Sequence, residues 1–278
     1  WFYTFRELST VFEEASCKRN STKLLDRYSK LTRNWTKETN SEWLCRIYLS
    51  AKMVMCATLN LNTLDYAQKK NVRAVESYLA YYSLLSLLRA IVYTLPEIEW
   101  DSGKLVKVSH SKAIKQAVAH IATFDKSVAN STSDLVRRLK AERELISYRS
   151  PSSGDQSVSH PTNIRSIATL LAEIAQFNSE LLEASILKNA PHQAFEFLDE
   201  YINELSNVEI DGLVFSDNED TYRLDYLSRK HPVTPNILNI MTEGHVESYF
   251  GAWVSDSDED RDDTFDPDKN WQLIFDIP

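Results

Sequence analysis

Glycine and proline are scarce in this sequence, with five and eight residues among 278. Long segments in which apolar and charged residues recur with helical spacing run between them, so the chain is predicted to be mostly helical. Cysteine is also scarce: Cys17, Cys45 and Cys56 are odd in number and show no Cys-x-x-Cys spacing. This pattern argues against a disulfide framework and a thiolate zinc site, and it indicates a reducing, cytoplasmic location.

The common motifs for metals and phosphates are absent from the sequence. The six histidines form no HExxH motif and no i, i+4 pair, and the chain contains no GxxxxGK[ST], GxGxxG or GxSxG. In the acidic stretch that begins at Asp256, no register places oxygen ligands at the spacing of a calcium loop. We therefore expect no metal and no cofactor.

The most apolar stretch runs from Val72 to Leu95. Between Glu76 and Glu97 its only formal charge is Arg89, so apolar and aromatic side chains occupy almost every face of a helix. A helix of this kind lies inside a bundle or in a membrane, and the central arginine, the tyrosines and the serines are costly in lipid. We predict that this stretch is the central helix of a soluble bundle, with no membrane involved.

Helices are predicted on both sides of this centre. Those before it are Phe5–Lys18, Thr22–Leu31, with a turn and cap at Asn20, and a longer helix from Glu42 to about Asp65, capped by Asn40 or Ser41. Those after it are Ser111–Phe124 capped by Ser109, Ser133–Arg149, Thr162–Asn189, Ala194–Leu205 and Asn236–Trp253, while Val208 to Phe215 resembles a short strand and turn, and Glu97 to Lys107 a loop with a possible strand pair.

The end of the chain is strongly acidic. Between Ser255 and Lys269 lie eight acidic residues against two basic ones, followed by the apolar Trp271-Gln-Leu-Ile-Phe. Two interpretations stand: a disordered tail, or a solvated linker whose last residues dock back. The net charge of −9 is concentrated here and disfavours a protein that coats nucleic acid through its overall charge. We predict N-terminal helices at 1–41, a bundle at 42–190, a mixed extension at 191–254 and the acidic linker at 255–278.

Basic residues cluster on the helix that ends LKAERELISYRSP. Arg143 falls with Leu139 and Ile146 on the side that faces the bundle, where an arginine needs a partner or a task. The other basic residues of this helix and its exit are Arg137, Arg138, Lys140 and Arg149. Such a cluster suits a nucleotide or a phosphodiester. For Arg137, Arg138 and Lys140 the preferred interpretation is a solvated face that pairs with nearby glutamates.

The order AVESYLAYYSLLSLLRAIVY, then VSHSKAIKQAVAHI, then RELISYRSP resembles the HEPN (higher eukaryotes and prokaryotes nucleotide-binding) superfamily. The resemblance covers about Glu42 to Leu187 and its motifs are short. It implies an all-α, HEPN-like helical bundle, here with extra N-terminal helices and a mixed C-terminal extension. In the ribonuclease members the motif is an arginine, then four to six residues, then a histidine. Two such motifs meet across a homodimer and cleave RNA without metal.

The histidine of that motif is missing from this chain. Arg143 matches the arginine, and the fifth residue after it is Tyr148. A tyrosine with a pKa near ~10 is a poor general base at neutral pH. The resemblance therefore implies an interaction or nucleotide/RNA-binding subunit of a bacterial defence or toxin–antitoxin-type system, a homodimer or part of a larger complex. The alternative is a metal-independent ribonuclease in which Arg143 and Tyr148 are catalytic.

Overall fold

The computed structural model describes residues 6–99, 108–154, 163–254 and 264–275. Within these ranges the fold is all-α, with eleven α-helices and one two-stranded hairpin. The helices of the first part are α1 (Leu8–Val11), α2 (Glu14–Thr32), α3 (Lys37–Lys69), α4 (Glu76–Tyr93), α5 (His110–Phe124), α6 (Lys126–Arg149) and α7 (Ile164–Asn189). After them come α8 (Glu200–Ser206), β1 (Asn207–Ile210), β2 (Leu213–Ser216), α9 (Asn218–Arg229), α10 (Ile237–Ile240) and α11 (Glu243–Gly251).

Helix α4 is the centre of the fold, as its sequence predicts. It packs against four long helices, α3, α5, α6 and α7. Leu85, Leu88 and Val92 are buried as expected, because a helix that is apolar all round has neighbours on every side. Leu79 and Tyr82, which we also expected in the core, are only partly buried. Tyr82 lies at the edge of the core, and the guanidinium of Arg143 covers its ring.

The N-terminal helices differ from the prediction at Asn20. The sequence predicts a turn there, but α2 runs through it without a break. The side chains of Asn20, Ser21 and Thr22 donate to the carbonyl oxygens four residues earlier, at 2.9 to 3.0 Å. Residues of these types interrupt a helix when they bond to their own backbone elsewhere, and here the i−4 bond keeps them inside it. The amide of Asn20 also donates to the carbonyl of Thr123.

Helix α3 begins earlier than predicted. Its N-cap is Thr36, whose hydroxyl accepts from the backbone N–H of Thr39 at 3.2 Å. Asn40, expected as the cap, is fully buried, and its amide donates to the carbonyls of Glu196 and Val233. A residue type that favours caps is used here to attach the C-terminal segment to the bundle.

Helix α6 also begins earlier than the Ser133 start that we predicted. Its N-cap is Asp125, whose carboxylate accepts from the backbone N–H of Val128 at 2.9 Å. The predicted cap at Ser109 is correct, since its hydroxyl accepts from the N–H of Lys112. Consequently α5 and α6 follow each other almost directly and lie against each other and against α4.

The C-terminal part mixes confirmed and corrected elements. The strand and turn predicted at Val208 is the β1–β2 hairpin. The helix predicted from Ala194 is a 3-10 turn followed by α8, and that predicted from Asn236 is divided into α10 and α11. The sequence pattern missed α9. Ile274 and Phe275 are buried, so the apolar end of the chain docks onto the fold. The possible strand pair near Asp101 and the acidic run 255–263 lie outside the described residues.

Candidate functional site

A polar cluster forms where α4, the start of α5 and α6 meet. Helix α4 supplies two adjacent tyrosines, Tyr81 and Tyr82, whose ring centroids lie 5.2 Å apart. The first residue of α5, His110, brings its Nδ1 to 3.0 Å from the Tyr81 hydroxyl. Its ring centroid lies 5.9 Å from that of Tyr81 and 6.0 Å from that of Tyr82. The cap at Ser109 fixes the position of this histidine.

Arg143 of α6 covers the same two rings. Its guanidinium carbon lies 5.3 Å from the ring centroid of Tyr81 and 5.9 Å from that of Tyr82, both within cation–π range. Only 14% of its side chain is exposed. One amino group lies 3.3 Å from a carboxylate oxygen of Glu144, whereas the buried Nε has no hydrogen-bond partner among the residues that the structure describes. The arginine expected to face the bundle therefore does so, with aromatic faces as its principal partners.

A second arginine stands near this cluster. Arg89 of α4 donates to the backbone carbonyl of Val108 at 3.1 Å, and its buried Nε has no hydrogen-bond partner in the described part of the chain either. Burial, followed by the positive charges of Arg89, Arg143 and Lys140, lowers the pKa of His110. The imidazole is therefore neutral at pH 7. We call these residues the Arg143 cluster, comprising Tyr81, Tyr82, Arg89, His110, Lys140 and Arg143.

The cluster is suited chemically to an anion with several oxygen atoms. Among the described residues the Nε atoms of Arg89 and Arg143 are buried and have no acceptor, and an unpaired buried donor costs free energy until it is satisfied. Burial raises the pKa of Tyr81, so its hydroxyl keeps its proton at neutral pH. Among the described residues no group of three or more His, Cys, Asp or Glu is placed to hold a metal ion.

The predicted site residues are distributed over two environments. Tyr148, in the last turn of α6, is 76% exposed, and within one chain it is not brought to the Arg143 guanidinium. Arg137 is exposed and pairs with Asp134 at 2.9 Å, and Lys140 lies 3.7 Å from Glu144. Arg138 and Arg149 are exposed as well. Of the basic residues predicted for the site, Arg143 and Lys140 belong to the Arg143 cluster, and Arg137, Arg138 and Arg149 do not.

The two helices α5 and α6 form a basic layer on an acidic protein. From Val108 to Arg149 the sequence has eight lysines and arginines against four acidic residues, a net charge of +4, while the whole chain carries −9. Between the helices runs a groove of about 520 Å³ lined by apolar side chains and by Lys115, Arg137 and Lys140. The cluster therefore lies in a net positive part of the described fold.

His110 is the site residue that sequence reasoning missed. None of the metal motifs sought among the histidines includes it, and its burial is intermediate. The available signal was its place in Ser-His at a helix start, opposite the aromatic helix. Nothing in the sequence spacing of His110 and Arg143 shows that both side chains reach the same two tyrosines.

Comparison with known proteins gives no relative: no family model, curated protein or solved structure matches the chain. In the described part of the chain, α3 is long and apolar enough to span a membrane by length and composition. However, 67% of its most apolar window is buried inside the fold, which is typical of a core helix in a soluble protein.

Proposed function

We propose that this chain is a HEPN-like, non-catalytic module that binds RNA or a nucleotide through phosphate oxygens at the Arg143 cluster. The observation that carries the proposal is the environment of Arg143. Its guanidinium is largely buried over two tyrosine rings, and its Nε has no acceptor within the described ranges. A guanidinium fixed in this way presents a planar set of donors that matches phosphate geometry.

The basic layer around the cluster favours a chain of phosphates over a single small anion. Helix α5 has 15 residues and is therefore about 22 Å long. Phosphates of one strand in a duplex recur every ~3.4 Å along the axis, so a layer of this length faces several of them. Lys112, Lys115 and Arg137, all exposed, supply charge away from Arg143.

The position of Tyr148 favours binding without cleavage. Proton transfer at neutral pH needs a group that titrates near 7 and lies beside the reacting phosphate. Tyr148, which stands where the motif of the resembled ribonucleases has histidine, is exposed at the helix end. Following the resemblance, we assign the module to a bacterial, cytoplasmic defence or toxin–antitoxin-type system, as a homodimer or a subunit of a larger complex.

One observation supports a second candidate, a metal-independent ribonuclease. His110 is neutral at pH 7 and shares Tyr81 and Tyr82 with Arg143. A neutral imidazole can act as a general base while an arginine stabilises charge on the phosphate. In this candidate His110 takes the role of the missing histidine, either alone or with Tyr148 from a second protomer.

The deciding experiment measures RNA binding by fluorescence anisotropy with a labelled, single-stranded oligonucleotide over a series of salt concentrations. For the binding module we expect Arg143→Ala to weaken binding by about tenfold or more, because it removes both the charge and the planar donors. Arg143→Lys should recover only part of the affinity, since it keeps the charge alone. The control is Arg229→Ala, which removes an exposed arginine outside the basic layer, paired with Asp225.

The same oligonucleotide, incubated with EDTA and separated on a gel, tests the ribonuclease. Intact RNA at high protein concentration supports the binding module. Cleavage that persists in EDTA and is abolished by His110→Ala, with helical content unchanged, would establish the second candidate instead. The absence of any RNA binding by the unmodified chain at low salt would refute both.

A further inference from the structure

The β1–β2 hairpin projects from the fold with two open edges. Its register pairs Val208 with Phe215 and Ile210 with Leu213, and the turn residues Asp211 and Gly212 have φ of 52° and 79°. Positive φ at both central residues is the geometry of the tight type I′ turn, so the hairpin is well specified. In the described ranges the sheet has no third strand.

The hairpin exposes large apolar side chains along its length. Ile210 is 50% exposed, and the values for Leu213, Val214 and Phe215 are 63%, 69% and 55%. An open strand with this composition is an aggregation hazard, which proteins ordinarily suppress with lysine or proline at the edge. None of the ten residues from Asn207 to Ser216 is a lysine or a proline. Ile210, Leu213 and Phe215 share one face of the hairpin, and an exposed apolar patch of this kind marks an interaction site.

The register shows which backbone groups are available. In a two-residue hairpin the residues beside the turn, Ile210 and Leu213, exchange hydrogen bonds with each other. The next pair, Glu209 and Val214, then points its N–H and C=O groups outward. The outer edge of β2 therefore presents a donor and an acceptor at Val214. Val208 and Phe215 lie on one face together with the pair beside the turn.

The surroundings of the hairpin are acidic. From Asn189 to Tyr222 the sequence contains nine acidic residues and no lysine or arginine. A cleft of about 410 Å³ is lined by Val208 and Phe215 of the hairpin and by Asp217, Glu219 and Asp220 at the start of α9. Lys52 of α3 also lines it and pairs with Asp217 at 3.5 Å and with Asp220 at 2.5 Å, so three carboxylates face one lysine and the cleft stays net negative. An apolar wall beside carboxylates is complementary to the aliphatic stem and charged head of a lysine or arginine.

We propose that this hairpin is a docking site for an extended, basic segment of a partner protein. The segment adds as a third strand along β2, with main-chain hydrogen bonds at Val214. It alternates apolar side chains with lysine or arginine, and one basic side chain enters the cleft beside Glu219. Pairing with the same edge of a second copy is disfavoured, because it would bring the acidic residues of two hairpins together.

The test uses the full chain and a fluorescein-labelled synthetic peptide of about eight residues in which lysine and valine alternate. Binding is measured by fluorescence anisotropy. We expect Val214→Pro to weaken binding by about tenfold or more, because proline removes the outward N–H without removing a hydrogen bond inside the hairpin. The matched variant Val214→Thr keeps the N–H and should bind normally. Glu219→Lys should weaken binding through charge.

Three results would overturn the proposal. One is that the peptide fails to bind the unmodified chain at low salt. The second is that the peptide binds Val214→Pro as tightly as it binds the unmodified chain. Charge attraction alone would then explain the binding, with no contribution from main-chain hydrogen bonds. The third is concentration-dependent self-association, measured by analytical ultracentrifugation and lost in Val214→Pro, which would make a second copy the occupant. If Val214→Pro lacks native helical content, Glu219→Lys and a peptide with proline at its centre decide instead.

Discussion

Acidification should destabilise this protein through His120, a buried residue of α5. Its Nε2 lies 3.2 Å from the amide oxygen of Asn178, and the nitrogen of that amide donates to the Thr94 hydroxyl at 2.9 Å. Since the amide oxygen can only accept, the histidine Nε2 is the donor in this hydrogen bond. Burial lowers the pKa of His120 from 6.5 to about 4, with smaller effects from Asn178 and from the distant Arg27 and Glu97.

The sign follows from proton uptake. Between pH 6.5 and 4 the unfolded chain protonates this histidine and the folded chain does not, so the free energy of unfolding falls as the pH falls. Each pH unit in that interval corresponds to about 1.36 kcal/mol. The loss between pH 7.5 and pH 5 is therefore about 2 kcal/mol, and it approaches about 3 kcal/mol at pH 4.

Urea denaturation followed by circular dichroism at several pH values measures this loss. His245, whose pKa is also lowered to about 4 by burial, adds an effect of the same sign. Buried glutamates such as Glu173, whose pKa is raised by burial, act in the opposite direction. A comparison with His120→Gln isolates one residue, because glutamine can still donate to Asn178 but does not titrate.

The expected outcome is convergence of the two proteins in acid. The difference in unfolding free energy between His120→Gln and the unmodified chain should shrink by about 2 kcal/mol between pH 7.5 and pH 5. His192→Gln is the control for the exchange of histidine by glutamine, at an exposed position. Parallel pH profiles for His120→Gln and the unmodified chain would show that the histidine is not held neutral in the fold.

Two further predictions concern the core and the N-terminus. Leu85→Ala should lower the free energy of unfolding by roughly 2–5 kcal/mol in urea, because Leu85 is buried at the centre of α4, whereas Leu187→Ala at a 61% exposed position should change it little. An unchanged midpoint for Leu85→Ala would contradict the central position of α4. Glu173→Gln should increase hydrogen exchange at Arg6 and Leu8, because the buried carboxylate accepts from their backbone N–H groups at 2.6 and 2.8 Å, and unchanged exchange there would refute this anchoring role.

The sequence predicts the long helices well because their apolar periodicity is set by burial on several sides. The end of α6 at Arg149, the extent of α7 and the central position of α4 follow from the positions of apolar residues. The errors fall on Asn20, Asn40 and Asp125, polar residues that serve either as caps or as tertiary hydrogen-bond donors. Which role applies depends on a partner distant in sequence, such as the carbonyl of Val233 for Asn40.

The candidate site was predictable only in part, for a related reason. The inward position of Arg143 follows from its spacing to Leu139 and Ile146 on one helix. Its partners follow from how α4, α5 and α6 pack together, and the sequence does not specify that arrangement. The presence of His110 in the cluster therefore could not be predicted from the sequence. The pairing of Arg143 with Tyr148 across a homodimer stays a prediction, because the structure of a single chain does not test it.

Overall charge is a poor guide to what this protein binds, because its charges are segregated. The net charge of −9 argues against a nucleic-acid coat, yet the segment from Val108 to Arg149 carries +4. At physiological ionic strength exposed charges more than about 8 Å apart are largely screened, so a phosphate beside Arg143 responds mainly to the local excess of basic residues. By the same reasoning, the acidic residues around the hairpin favour a separate, basic partner. Arg143→Ala should therefore leave peptide binding unchanged and Val214→Pro should leave RNA binding unchanged, so a variant that impairs both would show that the two surfaces are not independent.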